Sequence, residues 1–125
     1  MTEILHMAHA LSRHAGARQT VIARNVANAD TPGYRAQDLA PFADSYNAPD
    51  TLALRTTRSG HIGGAGSALA LRIQAVDGPA DPNGNTVSLP EEMLRAADTM
   101  RAHDLSLAVY RTALGVLRTS LGRPR

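Results

Sequence analysis

The sequence predicts a mainly α fold: two long terminal helices pair as an antiparallel coiled coil, and an irregular middle region carries short β pieces. Three observations support this prediction. Apolar residues recur at three- and four-residue spacing near each end of the 125-residue chain, and proline, glycine and aspartate are concentrated between the two stretches. We therefore divide the chain into residues 1–35, 36–87 and 88–125, and we expect the first and last to form a single helical domain.

The first predicted helix covers residues 3–29. Its apolar stripe runs through Ile4, Ala8, Leu11, Ala15, Ile22 and Ala29, and Leu5 and Val26 widen it. Arg18 and Asn25 fall in the same stripe, so it differs from a purely apolar coiled-coil seam. Gly16 in the interior costs roughly 1 kcal/mol relative to alanine. We expect this helix to be marginally stable by itself and to depend on packing.

A turn is predicted directly after this helix. Asn28 is a candidate C-terminal residue because asparagine tolerates the left-handed conformation that often ends a helix. Pro32 disfavours a helical conformation at Thr31. The segment Thr31-Pro32-Gly33-Tyr34 fits a type II turn, in which proline presets the second position and glycine accepts a positive φ at the third.

The middle region is predicted to be loop-rich. Short extended pieces are expected at residues 52–57 and 68–76, where apolar and other residues alternate in the second piece. Residues 82–85 read Pro-Asn-Gly-Asn, which is a strong turn signal. A loop-rich stretch of this length indicates either a functional segment or disorder.

The second predicted helix covers residues 89–121. Ser88 stands three residues before Glu91, which is the pattern of a capping box, and Pro90 falls in the first turn, where proline is tolerated. Gly122 and Pro124 follow the helix and end it. The apolar series of this helix has coiled-coil spacing and comprises Met93, Ala96, Met100, His103, Leu107, Tyr110, Leu114, Leu117 and Leu121. One helix pair cannot cover both apolar stripes, so we expect further packing against other copies of the chain.

The composition favours close helix packing over a thick core and argues against several kinds of chemistry. Much of the apolar content is alanine, with one phenylalanine, three tyrosines and no tryptophan. Cysteine is absent, which removes disulfides and thiolate chemistry. His6, His9 and His14 lack a convincing further ligand for a metal site. The glycine-rich residues 60–66 lack the Gly-Lys-Ser/Thr sequence of a phosphate loop, and no serine lies in a nucleophile elbow. We predict no enzyme activity and no cofactor.

The pattern of the sequence predicts neither a secretory signal nor a membrane-spanning segment. The first residues carry neither a basic segment nor an apolar segment of the kind found in secretory signals. No apolar run approaches the ~20 residues of a membrane-spanning helix. We therefore expect a soluble chain that leaves the cytoplasm, if it does, without a cleaved signal peptide.

Nucleic-acid binding is the alternative function from a different class. All thirteen basic residues are arginine, and those on the two helices could contact phosphates: Arg13, Arg18, Arg24, Arg95, Arg101, Arg111 and Arg118. Acidic residues lie on the second helix beside these arginines. No aromatic side chains, on which nucleic-acid bases could stack, alternate with the arginines. We therefore expect solvated or inter-subunit arginines, and no nucleic-acid partner.

Residues 23–35, Ala-Arg-Asn-Val-Ala-Asn-Ala-Asp-Thr-Pro-Gly-Tyr-Arg, resemble the N-terminal signature of the bacterial flagellar axial proteins, which form the rod and hook. Two further segments resemble the short proximal-rod members of that family. One is Leu-Arg-Thr-Thr at 54–57 with His-Ile at 61–62, and the other is residues 83–93, which lead into the second helix. Within the family, a FlgC-like rod paralogue is the alternative, although its C-terminal helix normally begins with a different sequence.

The resemblance implies a structural subunit of the proximal rod, which assembles into a helical tube and transmits torque across the periplasm. It implies export through the flagellar type III apparatus without a cleaved signal peptide. The implied partners are copies of the chain, the rod subunits FlgC and FlgF, the rod adaptor FliE and the MS-ring protein FliF. The predicted assembly interface comprises Ile4, Ala8, Leu11, Ala15, Ile22, Asn25, Asn28, Asp30, Thr31, Pro32, Gly33, Tyr34, Met93, Met100, Leu107, Tyr110, Leu114, Leu117 and Leu121.

Overall fold

The computed structural model of the chain describes residues 2–47, 69 and 71–122. Within them, helix α1 spans Thr2–Ala27 and helix α3 spans Leu89–Ser120, with the short helix α2 at Phe42–Tyr46. Strands β1 (Gln37–Leu39) and β2 (Ile73–Ala75) pair antiparallel, with Asp38 opposite Gln74. The predicted fold class is confirmed: two long helices pack against each other, and a short two-stranded piece lies between them in sequence.

The two long helices run antiparallel. Ala8 on α1 lies beside Ser106 on α3, whereas Ala15, one heptad later on α1, lies beside Thr99, one heptad earlier on α3. The buried residues of this contact are small. Ala8, Ala15, Thr99, Ser106 and Ala113 are all buried, which lets the helices approach closely and excludes water along the contact.

Polar residues take part in this contact because they are satisfied locally. The Thr99 hydroxyl donates to the carbonyl of Arg95 at 2.7 Å, and the Ser106 hydroxyl donates to the carbonyl of His103 at 2.6 Å. Both hydroxyls are therefore paired within their own helix, and each side chain presents a small surface to α1. Larger apolar residues of the core, Val21 and Ile22, lie toward the C-terminal end of α1.

The apolar series predicted from Met93 to Leu121, hereafter the α3 seam, does not form the centre of the contact with α1. The buried positions of α3 are Glu92, Thr99, Ser106 and Ala113, and each directly precedes a seam residue. One residue is a rotation of about 100° around a helix, so the seam lies on a flank of the pair. Met93 is 75% exposed, Met100 65% and Leu121 84%. Small residues occupy the contact because bulky ones would hold the helices apart.

The stripe predicted on α1 is largely confirmed as its buried face. Ala8, Ala15, Ile22 and Asn25 are buried, and Leu11 is half-buried. Ile4 and Val26 are exposed. His14 and Val21 are buried although the stripe did not include them, because β1 and the segment after it cover a second side of α1.

The middle region departs from the prediction in its elements. The predicted extended piece at 68–76 contains β2, but its partner β1 and the helix α2 were not predicted. The backbone N–H of Ala40 donates to the carbonyl of Arg72 at 2.8 Å, and the N–H of Val76 donates to the carbonyl of Ala36 at 2.9 Å. These two bonds extend the β1–β2 pairing at both ends. The extended piece predicted at 52–57 and the glycine-rich residues 60–66 lie outside the described residues.

Both helix ends near the middle region differ from the prediction. Asn28 is not left-handed, since none of the described residues other than glycine has a positive φ. Its side-chain amide instead donates to the carbonyl of Arg24 at 2.8 Å. At the start of α3, Ser88 is extended but makes no side-chain cap hydrogen bond, so the capping box does not form. The C-terminal prediction holds: Gly122 follows α3 with φ 81°.

Candidate functional site

The segment after α1 and the segment before α3 form one hydrogen-bonded unit. We call this unit the turn cluster and define it as residues 25–37 together with residues 81–87. Each part supplies one fully buried asparagine, Asn25 from the first and Asn85 from the second. The turn predicted from the first part alone is therefore completed by residues more than fifty positions away.

Asn25 uses both ends of its side-chain amide. Its Nδ2 donates to the carbonyl of Gln37 at 2.6 Å, and its Oδ1 accepts from the backbone N–H of Gln37 at 3.1 Å. The hydroxyl of Tyr34 also donates to Oδ1, at 3.1 Å. The Asn25 amide thus bonds both the N–H and the carbonyl of one backbone residue, as a neighbouring strand would. These bonds fix the path of the chain from α1 into β1.

Asn85 binds the C-terminal end of α1. Its Nδ2 donates to the carbonyl of Asn28 at 2.9 Å and to that of Thr31 at 2.8 Å. Its Oδ1 accepts from the backbone N–H of Val87 at 2.8 Å. Carbonyls at a helix C-terminus lack partners within the helix, and here a side chain from before α3 supplies one.

Two glycine turns lie back to back in the turn cluster. Gly33 has φ 74° and Gly84 has φ 84°, a region that favours glycine. The backbone N–H of Tyr34 donates to Thr31 at 3.3 Å, which closes the predicted turn, and that of Gly84 donates to Asp81 at 2.8 Å. A Cβ on Gly84 would lie 3.4 Å from the Cα of Gly33, so the two turns pack closely.

The remaining signature residues lie at the surface of the turn cluster. Asp30, Thr31, Pro32 and Gly33 are exposed, and Tyr34 is half-buried. The hydroxyl of Thr31 donates to Oδ1 of Asn28 at 3.2 Å. The signature thus combines a buried anchor, Asn25, with an exposed tip.

An ion network ties α1 to β1 and α3. Arg18 on α1 donates to both oxygens of Asp38 on β1, from Nε at 2.9 Å and from Nη2 at 3.0 Å. Nε of Arg95 on α3 lies 3.9 Å from Oδ2 of Asp38. Arg95 also pairs with the fully buried Glu92 and, at 3.4 Å, with Glu91. These hydrogen bonds, which Arg18 donates to Asp38, raise the pKa of Arg18.

This network bears on the nucleic-acid hypothesis. Arg18 and Arg95 are two of the arginines proposed to contact phosphates, and both point into the protein toward Asp38. Arg101 lies 3.9 Å from Asp98 in an exposed pair. Fewer arginines are therefore available for phosphate binding than the sequence suggested.

Among the histidines of α1, His14 packs within the chain. His14 is buried, and its Nε2 lies 2.8 Å from the carbonyl oxygen of Ala40. Its ring stacks edge-on against Phe42, with centroids 5.7 Å apart. Over the described ranges 2–47, 69 and 71–122, no three histidine or carboxylate side chains are grouped as metal ligands would be.

In the same ranges, no helix has the length and apolar content that crossing a membrane requires.

Sequence reasoning missed several residues that build this site. Asn85, Asp38, Glu92 and Arg95 were not among the predicted interface residues. For Asn85 a signal was present, because its Asn-Gly-Asn-Thr-Val segment was part of the resemblance. Within the ion network, the spacing of Glu91 and Glu92 before Arg95 was a local signal for ion pairs on one helix. The contacts of Arg18 and Arg95 with Asp38 had no local signal, since they join three elements distant in sequence.

Several known proteins are similar to this chain. A family model described as flagella basal body rod protein matches residues 4–35. The flagellar basal body rod protein FlgB of Escherichia coli is 36% identical, over 73% of this chain and 72% of the relative. FlgB of Cereibacter sphaeroides is 31% identical, over 83% and 82%. FlgB of Agrobacterium fabrum is 29% identical, over 88% and 86%.

Proposed function

This chain belongs to the FlgB family of flagellar basal body rod proteins, and we propose that it is a structural subunit of the proximal rod. The relationship to FlgB proteins across most of the chain carries this conclusion and favours FlgB over the FlgC-like alternative. The family is structural, so the chain is not an enzyme. We further propose that copies assemble into a helical tube that transmits torque across the periplasm.

The surface of α3 supports a role in assembly. Within the described residues, several large apolar side chains of the α3 seam are exposed, among them Met93, Met100 and Tyr110. Apolar surface on a 32-residue helix gains free energy when a neighbouring subunit covers it. A tube built from long packed helices distributes shear over many side-chain contacts, which makes it stiff.

The turn cluster supports a second part of the proposal. Because Asn25 and Asn85 join the two ends of the helical domain by hydrogen bonds, they fix the angle at which the middle region leaves the helices. The exposed tip at Asp30–Gly33 is then held in one conformation for contact with neighbours. We propose that residues 1–35 and 88–125 form the helical domain of the rod. The start of the middle region, residues 36–87, packs against α1 through Asp38 and Ala40.

The proposed partners follow from the place of such a subunit in the basal body. They are further copies of the chain, the rod subunits FlgC and FlgF, the adaptor FliE, the MS-ring protein FliF and the flagellar export apparatus. We propose that the chain reaches the rod through that apparatus without a cleaved signal peptide.

Deleting the gene in its host tests the proposed function. We expect cells that do not swim and purified basal bodies that show rings without a rod by electron microscopy. Expression of the intact gene should restore both swimming and rods. Normal rods and normal swimming in the deletion strain would refute the proposal and direct attention to salt-dependent nucleic-acid binding by the free arginines.

A further inference from the structure

A groove runs along one side of the α1–α3 pair, on the flank that carries the α3 seam. Two cavities lie in it. The first, of about 270 Å³, is lined by Ala15, Gly16 and Gln19 from α1 and by Thr99, Met100 and His103 from α3. The second, of about 150 Å³, is lined by Ala8, His9 and Ser12 from α1 and by Ser106, Leu107 and Tyr110 from α3. We call this surface the flank groove.

The two cavities are related by one heptad on both helices. Each lining residue of α1 in the first cavity lies seven positions after its equivalent in the second. On α3, Thr99, Met100 and His103 lie seven positions before Ser106, Leu107 and Tyr110, whereas Asp104 at the edge of the first cavity has no such equivalent. Seven residues span about 10.5 Å of helix. In a coiled coil, side chains of a further helix pack into holes that repeat at heptad spacing between two helices.

The flank groove is deep because its α1 side is small. A Cβ built on Gly16 would meet no other atom within 4 Å. The groove is also continuous with the buried contact of the helix pair, since Ala8, Ala15, Thr99 and Ser106 contribute to both. An apolar side chain entering it would therefore extend the existing core.

A second apolar surface lies on the opposite flank of α3. It consists of Leu105, Val109, Thr112 and Val116, at spacings of four, three and four residues, and all four are exposed. We call it the flank stripe. Leu105 and Thr112 each lie one residue before a buried position, whereas Leu107 in the groove lies one residue after Ser106. At about 100° per residue, groove and stripe point to opposite sides of the contact with α1.

The two surfaces are complementary in shape, spacing and charge. The groove is concave and the stripe is a convex row of side chains, and both follow the heptad period. Asp104 borders the first cavity. Arg101, whose side chain is 83% exposed and lies 3.9 Å from Asp98 in an exposed pair, stands one turn before Leu105. Opposite charges at the edges of the two surfaces favour their contact.

We propose that the flank stripe of one copy packs into the flank groove of the next copy. The two surfaces differ, so the contact is heterologous: it adds copies in one direction around a ring or helix and does not close as a two-fold dimer. This inference rests on the proposed function, because it requires copies to lie side by side in the rod. It names the surfaces through which they meet.

The absence of cysteine from the chain permits a direct test by disulfide cross-linking. Gly16→Cys places a thiol in the groove, where there is room for it. This substitution is combined in turn with Leu105→Cys, Val109→Cys, Thr112→Cys or Val116→Cys on the stripe. Each full-length variant replaces the native gene in the host, and basal bodies are purified, oxidised and analysed by non-reducing electrophoresis and immunoblotting.

We expect at least one double variant to give a ladder of dimers, trimers and larger species. Each copy then carries one groove thiol and one stripe thiol, so links propagate from copy to copy. The variants with a single cysteine should remain monomeric. The control Gly16→Cys with Ala97→Cys should also give no ladder, because the exposed Ala97 lies on the side of α3 that faces away from α1.

Two results would overturn the inference. Dimers formed by Gly16→Cys alone would show that the groove meets another groove, as in a two-fold contact. Monomers in all double variants, with the chain present in the basal bodies, would show that groove and stripe do not meet. If the unmodified chain is missing from purified basal bodies by the same immunoblot, the proposed function fails, which separates that failure from these two.

Discussion

Asn85 illustrates how a single buried amide connects distant parts of this chain. It follows a glycine turn, lies just before α3, and hydrogen-bonds the carbonyls that follow α1. Asn25 plays the corresponding part for the path into β1. Both side chains are fully buried with their polar atoms paired, and leaving a buried polar group without a partner is costly.

At this scale we predict that Asn85→Ala destabilises the chain. The substitution removes the acceptor of the Val87 N–H, and an unpaired buried group of this kind costs about 1–3 kcal/mol. It also removes one of the two hydrogen bonds that the carbonyls of Asn28 and Thr31 each accept. We expect a clear loss of helical signal or a lower unfolding midpoint by far-ultraviolet circular dichroism. The control is Asn47→Ala, at an exposed position. Equal unfolding curves for the two variants would contradict the assigned role of Asn85.

At the scale of elements, the ion network is the polar link among α1, β1 and α3. The Asp38 carboxylate forms ion pairs with Arg18 on α1 and with Arg95 on α3. Its hydrogen bond raises the pKa of Arg18, so the stabilisation from this arginine is fully present below its unfolded-state pKa. That contribution is lost only as pH rises through the higher folded-state pKa. Arg18 therefore adds no pH dependence to stability between about pH 6 and pH 9.

We predict that Arg95→Ala lowers the free energy of unfolding by about 3 kcal/mol, because it removes the cation that faces the buried carboxylate of Glu92. Chemical denaturation of the purified chain measures this value. The matched control Arg101→Ala breaks an exposed pair and should cost less than about 0.5 kcal/mol. Similar losses for both variants would contradict the importance of the network. The double variant Glu92→Leu/Arg95→Leu should recover part of the loss.

At the scale of the whole molecule, the distribution of apolar surface is the main feature. The helix pair uses small side chains for its own contact and leaves larger ones, such as Met93 and Met100, outside it. Such a molecule has an internal core but also carries apolar surface that neighbouring subunits would cover. The flank groove and flank stripe are parts of that surface, and they lie on opposite sides of the same helix.

We predict that Met100→Asp blocks rod assembly without unfolding the chain. Met100 is 65% exposed, so a charge there costs little in the isolated subunit but is buried without a partner once a neighbour covers it. Swimming in soft agar and electron microscopy of basal bodies measure the effect, and immunoblotting confirms normal protein levels. Ala97→Asp, on the exposed far side of α3, is the control and should swim. Full motility of the Met100 variant would show that this part of the α3 seam does not belong to the assembly surface.

The sequence by itself determined both long helices and the turn at 31–34, because apolar periodicity, proline and glycine act through neighbouring residues. It also predicted the antiparallel pairing, because two helices with apolar stripes that bracket a loop-rich middle region can fold back on each other. It could not determine which face of α3 meets α1. The regular spacing of Met93, Met100 and Leu107 pointed to one face, but the closeness that Ala8 and Ala15 allow selected the adjacent one. The pairing of β1 with β2, the contact of Asn85 with the end of α1, and the network around Asp38 were likewise decided only by tertiary structure. Each joins residues far apart in the chain, and no local pattern encodes such a contact.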